Sequence, residues 1–198
     1  MQPDYFTFLS KDKKLKKILK DQPPFVLKKQ KKIYLRLCKS ILSQQLSTRV
    51  AKVLYERFLN LFDGREPSAQ EVLDMPVASF RAIGFSQAKA NYVHNVCRFF
   101  IENKLTDAQL HRMNNDEVID LLTQIKGVGR WTVEMILMFS LGREDIFAID
   151  DLGLKQRVVR LYMLEETDAK LLRKQILTIS DRWSPYRTYA CRHLWNWE

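Results

Sequence analysis

Two helical patterns meet across a four-residue turn, Lys126-Gly127-Val128-Gly129, and that turn restricts the possible fold more than any other stretch. The first pattern enters it through Leu122 and Ile125, and the second runs from about Arg130 to about Leu141. Glycine has no side-chain clash at positive φ, so this pair can end the first helix and let the chain reverse. The N–H groups of such a turn, with those of the next helix's first turn, form a seat for an anion such as phosphate. Lys126 and Arg130 add positive charge beside it. The same spacing also fits a plain αα-hairpin turn that binds nothing. A short connection then delivers two adjacent carboxylates, Asp150 and Asp151, in front of another helical run.

The rest of the chain also reads as helical, because no stretch alternates with period two. Residues 1–32 read as one lysine-rich helix interrupted at Pro23 and Pro24, with Phe6, Phe8, Leu15, Ile18 and Leu19 as its apolar stripe. Two helices follow over 33–62, broken near Ser47 and Thr48. Leu35, Cys38, Ile41 and Leu42 share one face, and Gln44 and Gln45 sit at the break. Ser68 and Glu71 form a capping-box pair, and a loop containing Gly84 follows. Ser86 caps a helix to about Glu102 that turns Val93, Val96, Cys97, Phe100 and Ile101 inward. One of Asn114 and Asn115 caps the helix entering the turn. Beyond Asp151, helices are expected over 152–163, 168–179 and 186–197, the last started by Ser184 and Pro185.

With 198 residues, the chain can bury roughly 70% of its unfolded surface and needs no disulfide staple. Three dispersed cysteines, Cys38, Cys97 and Cys191, fit a reducing compartment and no zinc pattern. No apolar run reaches membrane-span length and no secretion signal is visible, so neither a membrane partner nor export is expected. The net charge of +10 points to a polyanionic partner. Ten lysines against Asp12 and Asp21 in residues 11–32 carry +8 of it, whereas residues 124–157 balance five basic residues against five acidic ones. Charge therefore supports nucleic-acid binding without locating the site.

Gly127 to Thr132 followed by Asp151 resembles the helix-hairpin-helix DNA glycosylases, the superfamily with a Gly/Pro-rich loop and a catalytic aspartate. Within it, the likeness is to the 3-methyladenine DNA glycosylase II branch. Three further stretches resemble that branch in the same order: Ile41 to Ser47, Gly84 to Ser86 with Lys89, Ala90 and Tyr92, and Arg182, Trp183 and His193 to Trp195. The resemblance implies one all-α, two-lobed unit over 1–198 with the active site in the cleft between lobes. A central lobe would span about 33–135 with the hairpin at 122–135, and a second lobe would combine 1–32 with 136–198.

The same resemblance implies a monofunctional glycosylase that flips alkylated purines of the 3-methyladenine and 7-methylguanine type out of double-stranded DNA. Hydrolysis then leaves an abasic site. Asp150 and Asp151 both qualify chemically to stabilise positive charge on the sugar, and the family register picks Asp151. A helix N-cap is the commonplace role for either residue. Trp131 and Trp195 match base-pocket tryptophans, whereas Trp183 and Trp197 read as core. Lys126, Gly127, Val128, Gly129 and Arg130 would grip the backbone, and Gln44 or Gln45 would fill the gap left by the base. A monovalent cation would sit on the carbonyls of Thr123, Ile125 and Gly127, with no other cofactor required and no iron–sulfur cluster. Trp131 stands where lyase members carry lysine, so water is the expected nucleophile. A monomer is expected, in the bacterial nucleoid or eukaryotic nucleus. The competing readings are the same fold acting on another damaged base, and a non-catalytic DNA-binding module. Steep salt dependence with little lesion preference would mark the module.

Overall fold

The computed structural model describes residues 3–198. Among them every regular element is helical: α1 (Asp4–Leu9), α2 (Lys13–Leu19), α3 (Ile33–Ser43), α4 (Thr48–Asn60), α5 (Ala69–Asp74), α6 (Val77–Ala82), α7 (Gln87–Glu102), α8 (Asp107–Arg112), α9 (Asn115–Leu122), α10 (Arg130–Phe139), α11 (Leu152–Tyr162), α12 (Ala169–Asp181) and α13 (Arg187–Trp195). Among the described residues no helix is long and apolar enough to cross a membrane.

Local chemistry sets most of the starts. Ser68 with Glu71, Thr106 with Gln109 and Asn114 with Glu117 form capping boxes, and Ser47 and Ser86 cap α4 and α7. The N-terminal region is two helices rather than one. Asp12 accepts from the N–H groups of Lys14 (2.9 Å) and Leu15 (3.2 Å), so it restarts the chain as the N-cap of α2. The stretch before Gly84 also differs from a loop, because Val77–Ala82 winds into α6 and buries Phe80. Ile101, expected inside, is 38% exposed at the last turn of α7. The final helix begins after Pro185, with Tyr186 at its N-cap.

The chain divides into two compact units, with the boundary inside α10. One comprises Gln30–Ile136. Its centre is α3 against α7, where Leu35, Cys38, Ile41 and Leu42 are fully buried with Val93, Val96 and Cys97. Phe58, Phe80 and Phe85 stack beside them with ring centroids 5.6–6.1 Å apart. The other comprises the N-terminal segment through Lys29 together with Leu137–Glu198. Tyr5 stacks on Tyr189 at 3.9 Å, and Leu9, Leu15, Leu19, Trp183 and Leu194 complete the core. Trp183 is core, as expected. Trp197 is not: it is half-buried beneath the Arg160 guanidinium, 3.9 Å from its ring.

Candidate active site

The hairpin is fixed from beneath. Ile125 and Val128 are buried, and the Val128 N–H donates to the Ile125 carbonyl at 2.9 Å. The Val128 side chain is thus a plug for the turn, and only its main chain can face a ligand. Gly127 has φ +106°, and a Cβ there would lie 2.2 Å from the Tyr92 ring. Both facts require glycine. Asn95, one turn along α7, donates to the Lys126 carbonyl at 3.1 Å. Gly129 has nothing within 4 Å of a would-be Cβ, leaving that side of the turn open to a close approach. Lys126, Arg130 and Trp131 are exposed, and Arg130 pairs with Glu134 at 3.1 Å. Neither Tyr92 nor Asn95 can be assigned this support from sequence alone, because more than thirty positions separate them from the glycines.

In the same unit, α3 ends at two glutamines in different settings. Gln44 turns inward, and its amide lies 3.3 Å from Thr132 Oγ1. Lys89 Nζ donates to the carbonyls of Leu42 (2.8 Å) and Gln44 (2.9 Å), tying down carbonyls left by the helix end. Burial holds that ammonium below its ordinary pKa. Gln45 is exposed with φ +59°, so the chain projects it outward with Leu46, which is 37% exposed.

The second unit holds the carboxylates. Asp151 is the N-cap of α11, and its Oδ1 accepts from the Leu154 N–H at 2.6 Å and from the Trp195 indole N–H at 3.0 Å. Phe139 lies against Trp195, with centroids 5.8 Å apart. Asp150 points elsewhere, exposed and paired with Arg173. The connection before them is clamped to the start of α13. Thr188 Oγ1 donates to the Arg143 carbonyl (2.7 Å) and accepts from the Ile146 N–H (3.0 Å). Arg187 holds Asp145 at 2.7 Å and Tyr189 donates to Glu144 at 2.7 Å. Helix α13 therefore fixes the approach to Asp151 at one end and the Asp151 carboxylate at the other.

His193, the one histidine near these residues in sequence, faces the core. Its Nδ1 lies 2.9 Å from Gln22 Oε1 and its Nε2 3.5 Å from the Tyr5 hydroxyl. Burial pushes its pKa down to about 4. It is therefore neutral at pH 7 and fully engaged. Cys38, Cys97 and Cys191 are buried free thiols.

Residues 38–181 match the model of the HhH-GPD superfamily base excision DNA repair proteins. The chain belongs to that superfamily. It is 35% identical over 185 residues to DNA-3-methyladenine glycosylase 1 of Schizosaccharomyces pombe, spanning 92% of this chain and 80% of that one. Its fold is similar to the 3-methyladenine DNA glycosylase of the same organism solved in complex with abasic DNA (TM-score 0.85, 32% identity, 98% of this chain and 96% of that one). It is also similar to a DNA-3-methyladenine glycosidase from Bacillus halodurans (TM-score 0.83, 31% identity, 98% of this chain and 88% of that one).

Proposed function

We propose that this chain is a monofunctional DNA N-glycosylase that removes alkylated purines, of the 3-methyladenine and 7-methylguanine type, from duplex DNA. The observation that carries the reading is a carboxylate, Asp151, fixed by two donors at the first turn of α11. In glycosidic cleavage the base departs with the C1′–N electron pair, leaving positive charge on the sugar. A carboxylate about 4 Å from that charge, at an effective dielectric near 20, stabilises it by roughly 4 kcal/mol. The same group orients and deprotonates the attacking water, which adds to C1′. The product is an intact strand with an abasic site.

An alkylated purine of this type is cationic, so it leaves without prior protonation. The engaged, neutral His193 agrees with a site that has no need of an acid there. Trp131 and Trp195 supply faces for the base, and a cation over an indole gains roughly 0.5–2 kcal/mol. Because the Trp195 indole N–H is held by Asp151, Trp195 also positions the carboxylate. The N–H groups of Gly127 and Gly129, with Lys126 and Arg130, bind phosphate. The inward tether of Gln44 and the outward left-handed Gln45 favour Gln45 as the side chain entering the duplex. A monovalent cation would be held by main-chain carbonyls at Thr123, Ile125 and Gly127. The Ile125 carbonyl already accepts from Val128, which leaves it a second lone pair for an ion. The protein acts as a monomer on damaged DNA, in the nucleoid or the nucleus.

The test is to incubate methylated duplex with the protein and separate the released bases. Release of methylpurine with alkali-labile but otherwise intact strands supports the reading. Release of oxidised or deaminated bases alone would move the specificity, and borohydride trapping of a protein–DNA adduct would overturn the water mechanism.

A further inference from the structure

Helix α2 carries a feature that the excision chemistry leaves unused. Lys13, Lys16, Lys17 and Lys20 stand at i, i+3, i+4 and i+7, forming one exposed stripe opposite the buried Leu15, Ile18 and Leu19. Like charges at i, i+4 weaken a helix on their own. Among the described residues, none of these lysines lies within ion-pair distance of a carboxylate. Next to the stripe is a cavity of about 500 Å³, ringed by Lys11, Lys13, Lys14 and Arg182 over Phe8 and Tyr162. Its one lining carboxylate, Asp12, is already engaged by the Lys14 and Leu15 N–H groups, the Tyr162 hydroxyl and the Trp183 indole. Lys14 is accounted for too, since its Nζ donates to the Tyr162 carbonyl at 2.8 Å and so caps the end of α11. Lys11 and Arg182 lie over the rings of Phe8 and Tyr162, which leaves their charge unneutralised. What remains is a concentrated positive face that, among the described residues, no carboxylate pairs with.

We infer that this stripe and cavity rim form a second contact for the phosphodiester backbone of DNA, outside the site of base excision. The inference rests on the glycosylase reading for the identity of the polyanion. The scale fits: Asp151 caps one end of α11 and Lys14 holds the other, and eleven residues of helix span roughly 16 Å. At 3.4 Å per nucleotide along a strand, that corresponds to about five nucleotides. The contact reads no sequence. It holds the protein on undamaged duplex and slows its loss between encounters with lesions.

The experiment combines Lys13→Gln, Lys16→Gln, Lys17→Gln and Lys20→Gln. Binding to undamaged duplex is measured from about 50 to 200 mM salt, the range in which phosphate contacts dominate. Each lysine that meets a phosphate contributes about 0.9 to the slope of log K against log salt, so the slope should fall by about 2 to 4. Single-turnover release from methylated duplex at saturating protein should be unchanged, and the four Lys→Arg replacements should keep the wild-type slope. A folded glutamine variant with the wild-type slope overturns the inference, as does affinity lost equally at every salt concentration. The slope is read on undamaged DNA, so it stands or falls separately from the excision chemistry. If the wild type releases no methylpurine, the glycosylase reading fails instead.

Discussion

Substitutions at Asp151 separate its charge from its capping role. In Asp151→Asn the retained Oδ1 still accepts from Leu154 and Trp195, and asparagine is as good an N-cap as aspartate. The helix start survives and Tm should move by no more than about 2 °C. The charge is gone, and with it the roughly 4 kcal/mol that a carboxylate about 4 Å from the oxocarbenium ion supplies. Single-turnover release of methylpurine should therefore fall by about three powers of ten, while affinity for the lesion duplex holds. Asp151→Ala removes both roles. Losing the cap costs about 1 kcal/mol, and leaving the half-buried indole N–H without its acceptor costs a further 1–3 kcal/mol or so. Tm should fall by roughly 5–15 °C for a chain of this length. The assays are rapid-quench release of bases and thermal melting on the same preparations. A wild-type rate in Asp151→Asn would refute the electrostatic argument. Equal destabilisation of the two variants would refute the capping geometry.

Trp195→Phe keeps an aromatic face and deletes the indole donor to Asp151, so release should slow about tenfold, the scale of one hydrogen bond to a charged group, with lesion affinity nearly unchanged. An affinity loss with an unchanged rate would make Trp195 a stacking residue only. Gly127→Ala places a methyl 2.2 Å from the Tyr92 ring at φ +106° and should lower stability by about 2 kcal/mol or more. Adding Tyr92→Ala should restore part of that by relieving the clash but not the backbone strain, and urea melts would read the difference. His193 gives a pH dependence. Its folded pKa of about 4 lies below its unfolded value near 6.5, so between them the unfolded state binds the extra proton. Stability should fall as pH drops from about 6.5 towards 4, by up to about 3 kcal/mol. Asp12 and Asp145, with carboxyl pKa values held low by hydrogen bonds that outweigh burial, lose their contribution only at more acidic pH. Urea midpoints at pH 7.5 and 5 should therefore differ in the wild type and differ less in His193→Phe, where His94, whose pKa burial also lowers, keeps the remainder.

The all-helical fold was legible because its signals are local. Ser68 with Glu71 and Asn114 with Glu117 lie three positions apart, and a reader of sequence sees the whole interaction. Asp12 does not read as a cap because its neighbours are lysines that continue a helical pattern, and its other partners, Tyr162 and Trp183, are at least 150 positions away. Helix α6 is not legible because six residues are too few to display a period. At the site, the sequence offered residue types and the resemblance offered an order. The supports were not visible: Tyr92 beneath Gly127, Asn95 on the Lys126 carbonyl, Lys89 closing α3, and Thr188 clamping the connection are all long-range. Trp195 and Asp151 are 44 positions apart, and nothing local marks them as partners.

The long-range contacts also explain why the N-terminal segment belongs to the unit that carries Asp151. Helix α13 holds Asp151 through Trp195, and two residues earlier it holds the N-terminal segment through His193, Gln22 and Tyr5. Gln22 Nε2 also donates to the His193 carbonyl at 2.9 Å, and Tyr5 stacks on Tyr189. The face of α13 away from the carboxylate is therefore built from the first turns of the chain. Buried polar groups are costly when a partner is lost. Without α1 and the segment after α2, the His193 imidazole and carbonyl would lose their partners and α13 would lose its aromatic packing. The lysine stripe of α2 is thus carried on a segment that the Asp151 unit needs for its own stability. Neutralising exposed lysines leaves that core intact, whereas deleting the segment would disturb stability and Asp151 geometry together.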